Sequence, residues 1–85
     1  MPNQEKILIK VLQGTSDANI LFKDLVKLMK SLGFEERIKG SHHIFSRDGI
    51  MEIVNLQSKG KNSKPYQVKQ IRNLILKYKL GDLLK

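Results

Sequence analysis

Two histidines stand side by side at His42 and His43, and the chain has no others. Imidazole has an unperturbed pKa of about 6.5, so it gives and takes protons near neutrality, as cleavage of an RNA phosphodiester by its own 2′-OH requires. That route needs proton transfer and no metal ion. A histidine metal site is a poorer fit, because the chain has no cysteine and its carboxylates are scattered. A histidine pair in a strand also has an ordinary use in packing and hydrogen bonding, and most histidines are of that kind. Neighbouring strand side chains point to opposite faces, so one ring is expected against the helices and the other toward solvent. Parity does not choose between them: Ile44 shares a face with His42, Phe45 shares one with His43, and both are apolar.

A second feature is the run Lys59-Gly60-Lys61-Asn62-Ser63-Lys64. Leading into a helix, it offers ammonium groups, backbone N–H donors without helical partners and the positive end of a helix dipole, which together suit phosphate. A solvated loop of a basic domain has the same composition. Tyr66 can stack on a base, although a tyrosine at a helix start more often anchors it to the sheet. Arg37 and Lys39 flank the histidines and can steady a phosphate as charge builds on its oxygens, or simply guard a strand edge.

The chain that must position these residues has 85 of them and a formal net charge of +8, from 16 Lys and Arg against 8 Asp and Glu. Such a length has room for one compact domain, 1–85, which buries roughly 60% of its unfolded surface and is marginal enough to gain from a tight partner. The charge favours a polyanionic partner. Because the cations are spread over several elements, nucleic acid fits better than a membrane surface. No stretch is long and apolar enough to span a bilayer, the opening Met1-Pro2-Asn3-Gln4 is no secretory segment, and the absence of cysteine suits a reducing, cytoplasmic location.

Ile7, Leu8, Val11 and Leu12 recur at helical spacing, predicting a helix over 3–13 that Gly14 stops. Leu21, Leu25, Leu28, Met29 and Leu32 predict a second, ended by Gly33. From Phe34 to Asn55 the texture changes to short β-prone runs, predicting three strands in a meander. Asp48-Gly49 is the stronger signal for a tight hairpin turn, and Gly40-Ser41 the weaker. The span from Gln57 to Pro65 reads as a solvated, mobile loop. Val68, Ile71, Ile75 and Tyr78 then form the stripe of a last helix, followed by a tail at 81–85 that frays or packs on a neighbour. The order α-α-β-β-β-α assembles as α+β, with a three-stranded antiparallel sheet covered by helices on one face.

Phe22-Lys23-Asp24-Leu25, Leu32-Gly33-Phe34, Lys39-Gly40-Ser41-His42-His43-Ile44-Phe45, Gln57, Gly60-Lys61 and the stretch Lys64 to Arg72 follow one another in that order. In these segments the chain resembles the HicA (YcfA-like) family of toxin messenger-RNA interferases. The likeness covers about 20–80 and leaves 1–19 as a helical extension. The resemblance implies a double-stranded-RNA-binding-domain-like fold, metal-independent cleavage of mRNA without a cofactor, and neutralisation by a HicB-like antitoxin that covers the active site. It also implies that the histidine after Gly-Ser, His42, is catalytic. Lys39, Gly40, Ser41, Lys59, Lys61, Lys64 and Tyr66 then hold the RNA. Two other classes fit the same charge: a non-catalytic module that binds structured RNA by shape, and a subunit for an acidic protein partner.

Overall fold

The computed structural model describes the backbone of residues 3–84 and the side chains of residues 4–82. Helix α1 spans Asn3–Gln13, a short 3-10 turn follows at Asp17–Asn19, and α2 spans Phe22–Ser31. Strands β1 (Glu35–Lys39), β2 (His42–Ser46) and β3 (Val54–Leu56) form an antiparallel sheet in the order β1-β2-β3. Strands β4 (Ser58–Lys59) and β5 (Asn62–Ser63) form a separate ribbon, then α3 spans Pro65–Tyr78 and a 3-10 turn occupies Leu80–Leu84. This is the predicted α+β arrangement with three helices and a three-stranded meander.

The helices stop where their sequences say they should. Leu32 caps α2, Gly33 adopts φ 91°, and the N–H groups of Gly33 and Phe34 reach back to the carbonyls of Lys30 and Met29. Those two bonds are the Schellman pattern, which needs a left-handed residue that only glycine adopts without strain. The core behind the sheet gathers Leu25, Leu28 and Met29 from α2, Phe45, Val54 and Leu56 from the strands, and Val68, Ile71 and Ile75 from α3, all essentially buried. Leu8 and Val11 of α1 are buried in the same cluster, so the segment predicted as an extension is a structural part of the core. Arg72 ties it down, donating to the Val11 carbonyl at 3.1 Å and to both carboxylate oxygens of Asp17 at 2.9 and 3.2 Å. Leu80, just before the predicted tail, packs into this core, and the side chains beyond 82 lie outside the described residues.

Two expectations are corrected, the tight turn at Asp48-Gly49 and the loop at 57–65, while the weaker turn signal at Gly40-Ser41 holds. Lys39 pairs with His42, so Gly40-Ser41 is the two-residue hairpin turn, with φ 62° at Gly40 and a negative φ at Ser41. Glycine at the first central position is what this turn type requires. Asp48-Gly49 instead lies in a longer connection between β2 and β3. The reason is Glu52: its carboxylate accepts from the Tyr78 hydroxyl at 2.6 Å and from Lys77 at 2.8 Å, which ties the chain at Glu52 to α3 and holds it out of the ladder. The third strand is therefore only Val54–Leu56. Finally, the predicted loop 57–65 is ordered as the β4-β5 ribbon, because Ser63 N–H donates to the Ile20 carbonyl at 2.8 Å and Phe22 N–H to the Lys61 carbonyl at 3.0 Å. The chain before α2 thus acts as a third strand of that ribbon, and Ser63 is buried beneath it.

Candidate active site

The register of the sheet decides which histidine faces where. Ile38, His43 and Leu56 are cross-strand neighbours, as are Glu36, Phe45 and Val54, and Phe45, Val54 and Leu56 are buried. His43 therefore lies on the helix-covered face. Its ring meets Phe22 edge to face at 4.9 Å, and its Nδ1 donates to Glu36 Oε2 at 2.7 Å. Lys30 approaches the other carboxylate oxygen of Glu36 at 3.0 Å. The hydrogen bond from His43, aided by Lys30, holds the Glu36 carboxyl below its ordinary range.

The opposite face carries His42 with Lys39 across from it, then Arg37, Ile44 and Asn55 in the next row. His42, Arg37, Lys39 and Asn55 are exposed. His42 Nδ1 lies 3.1 Å from Asn55 Oδ1, and Nε2 has no hydrogen-bond partner among the described residues. A ring sealed beneath the helices would have ended any role on a polynucleotide, and this ring is open.

A chain of polar contacts frames it. Gln57 Nε2 donates to Ser41 Oγ at 3.0 Å, and Lys64 Nζ donates to Gln57 Oε1 at 3.2 Å. Ser41, in the turn before His42, is thereby linked to Lys64 at the start of α3. Behind them lies Gln67, 4% exposed, whose carboxamide accepts from the Gln57 N–H at 3.2 Å and donates to the Asn55 carbonyl at 3.2 Å. One side chain from α3 thus completes the outer edge of β3, where a further strand would otherwise pair.

Of the predicted residues, Lys39, Gly40, Ser41 and Lys64 are brought to His42 by the hairpin and this network. Lys59 and Lys61 are exposed on the β4-β5 ribbon, and no hydrogen bond among the described residues ties either to that network. Tyr66 does not anchor the helix to the sheet: it is 65% exposed, beyond Pro65 at the first turn of α3. Asn55 and Gln67 were not among the predicted site residues. Gln67 had left a signal, a polar residue four places before Ile71 on the apolar stripe of α3. Asn55 had left none, since only the strand register places it beside His42. Among the described residues, no cluster of histidine and carboxylate is placed to hold a metal ion, and no helix is long and apolar enough to cross a membrane.

No curated protein and no solved structure matches the chain. A family model does, described as HicA toxin of bacterial toxin-antitoxin, and it matches residues 22–78, from the first residue of α2 to the last of α3. The matched span holds the whole sheet, both histidines and the network around them, and so the chain belongs to the HicA toxin family, the toxin component of bacterial toxin–antitoxin systems.

Proposed function

We propose that this protein is a metal-independent endoribonuclease that cleaves messenger RNA in the cytoplasm, with His42 as its catalytic residue. The observation that carries the reading is the division of labour between the two imidazoles. His43 is engaged by Phe22 and Glu36 on the covered face, whereas His42 stands on the open face with Lys39 and Arg37 beside it. Cleavage then proceeds by attack of a ribose 2′ oxygen on the adjacent phosphorus. The phosphorus–O5′ bond breaks, leaving a 2′,3′-cyclic phosphate and a 5′-hydroxyl. His42 moves a proton in this step, either from the 2′-OH or to the departing O5′. A single imidazole fills one of those roles, a second group (a lysine, water or a substrate oxygen) fills the other, and slow turnover follows.

Lys39 and Arg37 share a face with the ring and stabilise charge on the phosphate oxygens. Gly40 leaves the backbone open at the turn, Ser41 and Lys64 extend the surface, and Lys59, Lys61 and Tyr66 receive the flanking nucleotides by charge and stacking. A HicB-like antitoxin neutralises the protein by covering this face. The test is to express wild type and His42→Ala in parallel, following growth and total RNA integrity, and to assay an all-deoxy substrate. Wild type is expected to arrest growth and degrade RNA, His42→Ala to do neither, and the all-deoxy strand to stay intact. Equal arrest by both proteins, or cleavage of the all-deoxy strand, would overturn the assignment.

The second reading, a non-catalytic RNA-binding module, draws on the exposed Tyr66 and the lysines, which suffice to hold RNA by shape. It requires His42→Ala to bind RNA and behave in cells as wild type does.

A further inference from the structure

We propose that Asn55 is a positioning residue that holds His42 in the Nδ1–H tautomer, leaving Nε2 as the basic atom of the open face. The inference rests on the reading of His42 as the proton-transfer group and fixes which of its nitrogens faces the substrate. A neutral imidazole carries one proton, and the hydrogen bond made by one nitrogen decides which nitrogen that is. The amide oxygen of Asn55 is an acceptor only, and it lies 3.1 Å from His42 Nδ1. The proton consequently sits at Nδ1 and the lone pair at Nε2. A neutral ring in that state takes a proton from a 2′-OH and has none to give to a leaving oxygen, so a neutral His42 is the base of the first step. As the 2′-OH proton transfers to Nε2, the ring becomes cationic and both N–H groups donate, and Asn55 goes on accepting without rearrangement.

The arrangement that holds Asn55 is built into the fold. Its side chain reaches His42 because Asn55 and Ile44 are register partners and His42 lies diagonally across the same face. Its backbone carbonyl is fixed from behind by Gln67 Nε2, and the same carboxamide accepts from the N–H of Gln57, two residues on. Gln67 is buried and both of its amide atoms are used, so the backbone of β3 that carries Asn55 is not free to slide along the sheet. The ring of His42 is steered from a buried helix residue, through a strand backbone, to an exposed side chain.

The competing arrangement has the Asn55 amide turned over, its NH₂ donating to a bare Nδ1 and the ring proton on Nε2. Long-range ¹H–¹⁵N correlation spectroscopy of the full-length chain at a pH where His42 is neutral separates the two, because protonated and bare ring nitrogens resonate far apart. Wild type is expected to show Nδ1–H at His42. Asn55→Leu, which has the bulk but no acceptor, is expected to shift the ring toward Nε2–H. It should also cut kcat for an RNA substrate roughly 10- to 100-fold while leaving KM within about twofold, since a base in the wrong tautomer forfeits part of the ~10²–10⁴ that acid–base catalysis supplies. Asn55→Asp keeps an acceptor and restores Nδ1–H, which guards against a folding defect in the leucine variant.

A wild-type ring with its proton on Nε2 would overturn the proposal, whatever the cleavage assay shows. So would full activity in an Asn55→Leu protein whose tautomer has switched. If instead the tautomers behave as expected and His42→Ala cleaves as well as wild type, the nuclease reading fails while Asn55 still sets the ring.

Discussion

Phe22 and His43 meet edge to face, ring centroids 4.9 Å apart and planes inclined by 73°, on the side of the sheet that His42 turns away from. The contact places the first residue of α2 over the centre of the sheet and commits one imidazole of the pair to packing. Such aromatic pairs contribute about 0.5–1.5 kcal/mol beyond the area they bury. His43→Ala is expected to lower stability by about 1–2 kcal/mol through this contact and the bond to Glu36. It should leave the activity of the folded protein within a few-fold of wild type. His42→Ala should do the reverse: stability within about 0.5 kcal/mol, as for an exposed side chain, and activity lost. Thermal unfolding and RNA cleavage, measured on both variants, check the pair.

Glu36 and Glu52 make stability depend on acid. Both carboxyls have their pKa lowered from an ordinary value of 4.5, Glu36 by the His43 hydrogen bond and Glu52, to about 2, by the hydrogen bonds from Lys77 and Tyr78. A group with a depressed folded pKa binds its proton more readily when unfolded, so its contribution is present above about pH 4.5 and fades as pH falls through the lower, folded value. The urea midpoint is expected to hold steady down to about pH 4.5 and then to drop. Glu36→Gln and Glu52→Gln should each start lower at neutral pH; Glu52→Gln should decline less steeply between pH 4.5 and about 2, and Glu36→Gln less steeply below pH 4.5. An unchanged slope in Glu36→Gln would show that its pairing with His43 does not stabilise the fold.

Gln67→Leu removes both partners that complete the edge of β3. The Gln57 N–H and Asn55 carbonyl then lose their bonds in a half-buried place, at about 1–3 kcal/mol for a group left unsatisfied. The expected result is a loss of about 2 kcal/mol or more in chemical denaturation and faster amide exchange at Gln57. A stability equal to wild type would mean that water replaces the glutamine without cost.

Arg72 gives the test of the first helix. Arg72→Met abandons a two-pronged contact with Asp17 and the bond to the Val11 carbonyl, and hydrogen bonds to charged groups are each worth about 1.5–3 kcal/mol before partial exposure weakens them. A stability loss of about 1–3 kcal/mol is expected. Deleting residues 1–13 also strips Leu8 and Val11 from the core, and should abolish the cooperative unfolding transition seen by circular dichroism. A deletion protein with a sharp transition would mean that α1 is dispensable.

The lysines supply a last check through salt. Each phosphate neutralised on a single-stranded RNA contributes about −0.7 to the slope of log affinity against log salt. Lys59→Ala, Lys61→Ala and Lys64→Ala are each expected to flatten that slope by about 0.7 in a binding titration on uncleavable RNA. A variant that leaves the slope unchanged takes its lysine out of the RNA path.

The three helices were legible from hydrophobic spacing because an amphipathic helix carries its packing instructions at i, i+3 and i+4, and the Gly33 stop is local chemistry. Local sequence does not rank the hairpin turns correctly, since Gly40-Ser41 and Asp48-Gly49 are both good turn sequences. What separates them is Glu52 reaching Lys77 and Tyr78, 25 and 26 residues further along the chain. The ribbon at 58–63 was missed for the same reason: its strands are two residues each, too short to show alternation, and exist through bonds to Ile20 and Phe22.

The amino-acid sequence by itself determined the kinds of chemistry available: two imidazoles and no thiol, a basic surface, apolar stripes that build an α+β core. It also placed the chain in its family through segments whose order and spacing are properties of the chain alone. Tertiary structure decided which imidazole is open, which asparagine stands against it and which buried glutamine braces that asparagine. Those are matters of strand register and of contacts between residues ten or more apart. A register shift of one residue would exchange the two faces of the sheet, and only the packing of the covered face excludes it.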